Sequence, residues 1–291
     1  MGAAVERLRH AAVLVTGGRG LLGAQVCQQL NAVAGHVQQS LGDVRELDAL
    51  TQRFDVVCHL AGITKVDADH DVPMLCDVNV TGTLTVLEYC RKAGARCVLA
   101  SSSAVYRPTQ IGMRLEEAAR LAPVSPYGMS KMMAEDCCRY FAKRHAVRTS
   151  VLRIFNLYGP GQDQDFLVPY VVDQLTRREL VSLKTPDAVR DFVYVADVAD
   201  AVVRACAHEP GLFDILNVGS GVGLTVRELV ERVAAQMGVE PQIATQGQVP
   251  VGDAVIADPR ATEAALGWAA RTSLEQGLAL MLSGSPLPVR S

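Results

Sequence analysis

Short, uninterrupted apolar runs alternate with longer stretches of helical periodicity through the first half of the chain. Val13-Leu-Val15, Val56-Val-Cys58, Cys97-Val-Leu-Ala100 and Thr149-Ser-Val-Leu152 lack the polar alternation of a half-exposed strand. They read as strands buried on both faces. Between them, residues 20–33, 73–93 and 126–145 have helical length and spacing. Repetition of strand, helix and strand predicts an α/β fold, a parallel sheet with right-handed crossovers and helices on both faces. The cluster Tyr158-Gly-Pro-Gly161 is the first strong shift of composition. Beyond it the alternation turns irregular, with short strands expected near 181–183, 190–194 and 213–218 and helices near 195–207 and 224–237. The expected organisation is a doubly wound domain over 1–160, with 186–218 returning to it, and a smaller lobe from 161–185 and 219–291. A length of 291 residues suits one large domain or two intimate ones, at ~150 residues per domain.

Composition narrows the functional classes. Apolar residues make up 49% and charged residues 20%, which excludes disorder through low hydrophobicity and high charge. A balance of 28 Lys plus Arg against 31 Asp plus Glu leaves a net charge of −3. That is no footprint for nucleic acid or an anionic membrane, so neither is expected as a partner. The longest stretch without formal charge, Gly20 to Gly42, carries five Gln and one Asn and is no membrane span. Ala11-Ala-Val-Leu-Val-Thr16 is too short, and too soon broken by glycines, for a signal segment. Eight cysteines without any C-x-x-C, two of them adjacent at Cys137-Cys138, suggest reduced packing thiols rather than a disulfide framework or a zinc site. The expected compartment is the cytoplasm, where the sequon Asn79-Val-Thr81 has no meaning.

Two motifs carry chemistry. Val15-Thr-Gly17-Gly-Arg-Gly20-Leu-Leu-Gly23 follows an apolar strand and opens a helix, the context a dinucleotide fingerprint requires. Glycine at 17 and 20 lets the backbone turn tightly and approach a pyrophosphate. Gly23 lets the helix pack close to the strand with its first amides on the anion. In Ser125-Pro-Tyr127-Gly-Met-Ser-Lys131, Tyr127 and Lys131 share one helix face at i and i+4. A free tyrosine is a poor base at neutral pH, and a neighbouring ammonium is expected to lower its pKa. Upstream, the strand ending at Ala100 runs into Ser101-Ser-Ser103, where a serine can donate to the oxygen that Tyr127 deprotonates.

In this order, with Arg153-Ile-Phe-Asn-Leu-Tyr-Gly-Pro160, Arg190-Asp-Phe-Val-Tyr-Val195, Asn217-Val-Gly-Ser220 and Leu266-Gly-Trp268, the motifs resemble the extended short-chain dehydrogenase/reductases over nearly the whole chain. More narrowly, they resemble the nucleotide-sugar epimerase/dehydratase family. The resemblance implies a Rossmann-type doubly wound sheet with a smaller C-terminal substrate-binding lobe. It implies NAD, with NADP open, cradled by Gly17, Gly20, Leu22 and Gly23, with Ala61, Gly62 and Asn79 lining the groove. Ser102 becomes the catalytic serine with Ser103 beside the substrate, Tyr127 the acid/base, and Lys131 the ligand of the nicotinamide ribose. Asn156 and Arg190 would face the diphosphate of a nucleotide sugar. A homodimer through helices 73–93 and 126–145 is implied as well.

Three departures qualify that picture. Only one polar strand, His36-Val-Gln-Gln-Ser-Leu41, lies between Gly23 and Gly42-Asp43-Val-Arg45. Asp43 stands as a ligand of either the ribose hydroxyl or the adenine, and Arg19 as a partner for a 2′-phosphate that would favour NADP. Ala104 replaces both the glutamate of the 4,6-dehydratases and the cysteine of the epimerase-reductases, leaving oxidation and reduction at one carbon. Gln246-Gly-Gln-Val-Pro-Val-Gly-Asp253 lacks the family's second phosphate-binding arginine, so Arg190 carries the diphosphate nearly alone or the substrate is no nucleotide sugar. His59 reads as a core histidine, and Met129, Met132 and Met133 as packing or a dimer face. The leading expectation is a 4-epimerase, its rival a reductase of 4-keto-6-deoxy nucleotide sugars, and the non-enzymatic alternative a cofactor-binding scaffold.

Overall fold

The apolar runs of the first half come together as the centre of a six-stranded sheet whose neighbours are all parallel. The structure, a computed structural model, describes residues 7–34, 39–41, 43–50, 52–64, 72–246 and 253–283. Its strands are β1 (Val13–Thr16), β2 (Gln39–Leu41), β3 (Val56–His59), β4 (Arg96–Ser102), β5 (Thr149–Ile154), β6 (Asn156–Tyr158), β7 (Val181–Leu183), β8 (Val189–Tyr194), β9 (Phe213–Val218), β10 (Gly223–Thr225), β11 (Ile243–Thr245) and β12 (Ala254–Val255). Its helices are α1 (Leu21–Ala34), α2 (Val72–Cys76), α3 (Gly82–Ala93), α4 (Pro126–His145), α5 (Leu167–Arg177), α6 (Val195–Ala207), α7 (Val226–Met237), α8 (Arg260–Leu266) and α9 (Leu274–Leu282). Of the strand expected over 36–41, residues 39–41 are described and pair with β1; residues 35–38 and 42 lie outside the described residues.

Alternation along each buried strand distributes side chains to two layers. Val13 and Val15 join Val26 and Leu30 of α1 and Val198 and Val202 of α6 on one face. Leu14, Val57, Leu99 and Val151 meet Val86 and Leu87 of α3 and Ala134 and Cys138 of α4 on the other. Full burial of each such aliphatic side chain contributes roughly 1.5–3 kcal/mol. Arg96 donates to the carbonyls of Ala205 and Cys206, satisfying the open end of α6. No helix among the described residues is long and apolar enough to cross a membrane.

The strand order β2-β1-β3-β4-β5-β9 reverses direction between β1 and β3. Loops leaving those two strands diverge, which opens a crevice at their carboxyl ends. The chain after Tyr158 builds a second layer: β8 pairs with β6, β10 and β12, and β7 pairs with β11. Val168, Val171 and Leu175 of α5 pack there against Leu229, Val230 and Val233 of α7. Of the returning segment 186–218, α6 covers the central sheet and β9 completes it, whereas β8 lies in the smaller sheet. The crevice is therefore closed from below by β1, β3, β4 and β5 and from the side by β6, β8 and α5.

Candidate active site

One cavity of about 820 Å³ occupies that crevice. Its wall includes Gly17, Gly20, Leu22, Gly23, Gly62, Ser102, Ser103, Tyr127, Lys131, Asn156 and Arg190. Ala61, Asn79, Asp43 and Arg19 stand outside it, the first two directly behind.

The glycine loop is shaped by contacts no larger residue allows. Gly17 is left-handed at φ 74°, and a Cβ there would stand 2.6 Å from the Ala61 amide nitrogen. At Gly23 a Cβ would stand 2.1 Å from the Gly17 carbonyl oxygen. At Gly20 the same carbonyl is 3.4 Å away and nothing else approaches, so its bare face belongs to the cavity. The result is a backbone cradle at the start of α1, suited to a phosphate. Asn79, in the π-helical turn Asp77–Thr81, accepts from the Ile63 amide at 2.9 Å and donates to the Ser130 hydroxyl at 2.9 Å. It thereby fastens the loop after β3 to α4. Arg19 is exposed. The Asp43 carboxylate caps the turn that follows and grips the Arg45 guanidinium at 2.6 Å, which holds its carboxyl below the usual range.

The acid/base machinery is assembled by the start of α4. Ser125 caps the helix by accepting from the Gly128 amide at 3.1 Å, and Pro126 supplies its preset first turn. A Cβ at Gly128 would fall 2.2 Å from the Ala104 carbonyl, so glycine is what lets α4 press against the turn Ser103–Val105. That contact brings the Tyr127 phenol beside the Ser102 hydroxyl. Ser102 is itself aimed by the Ala104 amide, which donates to Ser102 Oγ at 3.1 Å. Lys131 Nζ donates to the Ala100 carbonyl at 2.9 Å.

Electrostatics here differ from the sequence expectation in one respect. Burial pushes the Tyr127 phenol above its ordinary pKa, and the opposing pull comes from the Ser102 hydroxyl. The ammonium expected to do this is turned onto a backbone carbonyl, and burial lowers Lys131 to about 8. His59 fulfils the core reading: its Nδ1 meets the Thr16 hydroxyl at 2.7 Å and its Nε2 the Thr83 hydroxyl at 3.2 Å. Burial lowers it to about 3, so it is neutral.

The opposite wall is less regular. Asn156 Nδ2 donates to the Asp191 carbonyl at 3.2 Å. Arg190 donates to Asp253 through Nη2 at 2.7 Å and Nη1 at 3.2 Å, both side chains 23% exposed. Six residues of the stretch lacking a second arginine, 247–252, lie outside the described residues. Sequence reasoning missed Phe166, Leu167 and Val168, which bring the start of α5 to the cavity with no side chain capping it. No capping residue marked that helix, so the chain carried no local signal for it. Also missed was Glu135, one turn beyond Lys131, whose i+4 spacing was a usable signal.

Residues 13–219 match the NAD dependent epimerase/dehydratase family. A UDP-glucose 4-epimerase of Streptomyces lividans is 31% identical over 300 residues, covering 88% of this chain and 90% of that protein. Among solved structures, MoeE5 in complex with UDP-glucose and NAD superposes with a TM-score of 0.84 at 30% identity, over 94% of this chain and 97% of that one. The UDP-glucose 4-epimerase of Thermus thermophilus in complex with NAD gives 0.82 at 30% identity, over 94% and 98%.

Proposed function

The chain belongs to the NAD-dependent epimerase/dehydratase family, and from that premise we propose that it is an NAD-dependent nucleotide-sugar 4-epimerase, with UDP-hexoses as the substrate class. The observation that carries this reading is that Tyr127, Ser102 and Lys131 face one cavity with the glycine cradle and Arg190. The residues present fit NAD: a Cβ at Gly17 or Gly23 would close the cradle, and Gly62 leaves the approach to Lys131 Nζ open, since a Cβ there would stand 3.1 Å from it. Gly17, Gly20, Leu22 and Gly23 would hold the pyrophosphate and Lys131 the nicotinamide ribose. Bound there, NAD supplies a reversible hydride acceptor.

Tyr127 takes the proton of the sugar's 4-hydroxyl as a hydride leaves C4, giving a 4-ketone. It returns the same proton after the sugar has turned and the hydride has come back to the opposite face. Ser102 holds the reacting oxygen and, by donating to the phenolate, offsets the effect of burial on Tyr127. Arg190 and the start of α5 face the diphosphate together, and helix amides stand in for the second arginine of the family. The lobe of 161–185 and 219–291 is the substrate-binding lobe in this reading.

The test is interconversion of UDP-glucose and UDP-galactose by the purified protein with no net change at 340 nm. Steady loss of absorbance at 340 nm with NADPH and a 4-keto-6-deoxy nucleotide sugar would replace this reading with the reductase. Mass spectrometry of the co-purifying cofactor, expected to be NAD, decides the role of Arg19.

A homodimer through α3 and α4 is part of the proposal. Leu84, Met133 and Tyr140 are 38%, 40% and 57% exposed on those helices. Light scattering that shows a monomer at micromolar concentration would remove it. Eight free thiols suit the reducing cytoplasm, the compartment we assign and fractionation checks.

A further inference from the structure

Tyr127, Lys131 and Glu135 follow one another at i, i+4 and i+8, so they leave one face of α4. Each meets one of three consecutive residues at the end of β4. The Tyr127 phenol meets the Ser102 hydroxyl. Lys131 Nζ donates to the Ala100 carbonyl at 2.9 Å, and Ser101 Oγ donates to Glu135 Oε1 at 2.5 Å. Glu135 and Arg153 form an ion pair at 2.7 Å with side chains 0% and 1% exposed. Arg153 Nε adds bonds to both carboxylate oxygens, at 3.0 and 3.2 Å.

Strand register explains why these groups meet. Ser101 lies beside Arg153 across β4 and β5, and Arg153 lies beside Asn217 across β5 and β9. Arg153 Nη1 donates to the Tyr106 hydroxyl and to the Glu117 carbonyl, each at 2.8 Å. The Tyr106 hydroxyl donates in turn to Asn217 Oδ1 at 2.7 Å, and Tyr106 lines the cavity. Desolvation offsets most of the attraction in a buried ion pair, so its weight falls on the geometry it fixes.

We propose that Glu135 is a positioning residue for the reaction. As the third rung of a ladder between α4 and β4, it sets the register that puts Tyr127 on Ser102 and Lys131 on Ala100, and its charge keeps Lys131 an ammonium. The identity of the reaction rests on the 4-epimerase reading; the ladder itself does not. Facing Lys131 are Tyr127, Glu135 and Cys138 from α4, His59 from β3, Asn79 from the π-helical turn, and the Ala100 carbonyl from β4. His59 is neutral and Cys138 remains a thiol, since its hydrogen bond to Cys97 and then burial raise it. Arg153 faces Glu135 from β5. The charge opposing the effect of burial on Lys131 is accordingly that of Glu135.

The experiment compares wild type with Glu135→Gln and Ser101→Ala, each checked by circular dichroism. The pH midpoint of Lys131 acetylation by acetic anhydride is read by mass spectrometry on cofactor-free protein, and kcat and KM for UDP-galactose across pH on the loaded enzyme. In wild type the acetylation midpoint is expected near 8. In Glu135→Gln it falls by about one pH unit, and the alkaline limb of kcat falls with it. Ser101→Ala keeps the charge and loses the rung, so its midpoint stays and its kcat falls about tenfold with KM within twofold, a transition-state effect. A folded Glu135→Gln with an unmoved midpoint, or Ser101→Ala with wild-type kcat, overturns the proposal. Should Glu135→Gln fail to fold, Ser101→Ala decides. Should wild type epimerise no UDP-sugar, that reading falls and the acetylation midpoints still judge the ladder.

Discussion

On one wall of the cavity, Tyr127 and Lys131, with Glu135 buried behind them, lie along a single helix face against three consecutive residues of a central strand. On the other, Arg190 sits on a short strand of the smaller sheet and shares its guanidinium with Asp253 beyond a loop. On the first wall Lys131 is buried, Tyr127 and Ser102 half-buried where they face the cavity, and the partners lie within regular elements. The second relies on groups far apart in sequence, with the start of α5 reaching the cavity without a side-chain cap. In the proposed reading, atoms that move protons are held within regular elements, whereas the diphosphate faces Arg190 and the start of α5 across a looser wall. Substitutions on the two walls should therefore fail in different ways.

The largest effect is expected on the first wall. Tyr127→Phe removes the proton acceptor and keeps the ring, so turnover should fall by about 10²–10⁴-fold. NAD binding, followed by fluorescence quenching, should stay within about threefold of wild type. Wild-type turnover in that variant would break the contrast at its root, and unchanged biological activity in a variant that no longer turns over would favour the scaffold alternative. On the second wall, Arg190→Ala removes charge-assisted hydrogen bonds worth about 1.5–3 kcal/mol. KM for the UDP-sugar should rise roughly 10- to 100-fold with kcat changed less than threefold. A fall in kcat at constant KM would place Arg190 with the reacting groups instead.

Much of the first wall was legible in the chain, and the reason is physical. Tyr127 and Lys131 lie within one helix and Ser102 at the end of an apolar run, so local spacing already encodes their neighbourhood. His59 could be read as core because its strand is apolar throughout. What spacing could not give is the ammonium's partner, since the Ala100 carbonyl belongs to a different element and packing of α4 against β4 sets its distance. Arg153 gave no sign of its role, because its partners Glu135 and Tyr106 meet it through strand register. On the second wall the missing arginine was visible as a gap. The start of α5 on that wall was not, because a helix start has no sequence signature when no side chain caps it.

The glycine loop separates space from ligand within the first wall. A methyl at Gly23 would stand 2.1 Å from a backbone carbonyl, whereas at Gly20 it would stand 3.4 Å away. Gly23→Ala should therefore cost about 1–3 kcal/mol through forced backbone shifts, lowering Tm and NAD affinity together. Gly20→Ala should leave Tm within about 1 °C and weaken NAD binding alone, because its methyl projects only into the cavity. Calorimetry with a binding isotherm on each variant checks the pair. Equal losses of Tm would show that both glycines serve packing rather than the phosphate.

The last expected effect concerns the floor beneath that loop. His59 ties β1 and β3 to α3 through Thr16 and Thr83, and burial holds its pKa at about 3. In the unfolded chain the same imidazole takes up a proton below about pH 6.5. Between those values the unfolded state binds the extra proton and the folded state does not, so stability falls as pH falls. From pH 7 to pH 5 the loss assignable to this one group is about 2 kcal/mol, and it continues toward pH 3. His59→Gln cannot protonate, so the difference in unfolding free energy between wild type and variant should shrink by that amount over the same window. Urea titrations at pH 7, 6 and 5 on both proteins measure it. A difference constant with pH would mean that His59 is charged in the fold, and the hydroxyls of Thr16 and Thr83 would then both have to act as acceptors.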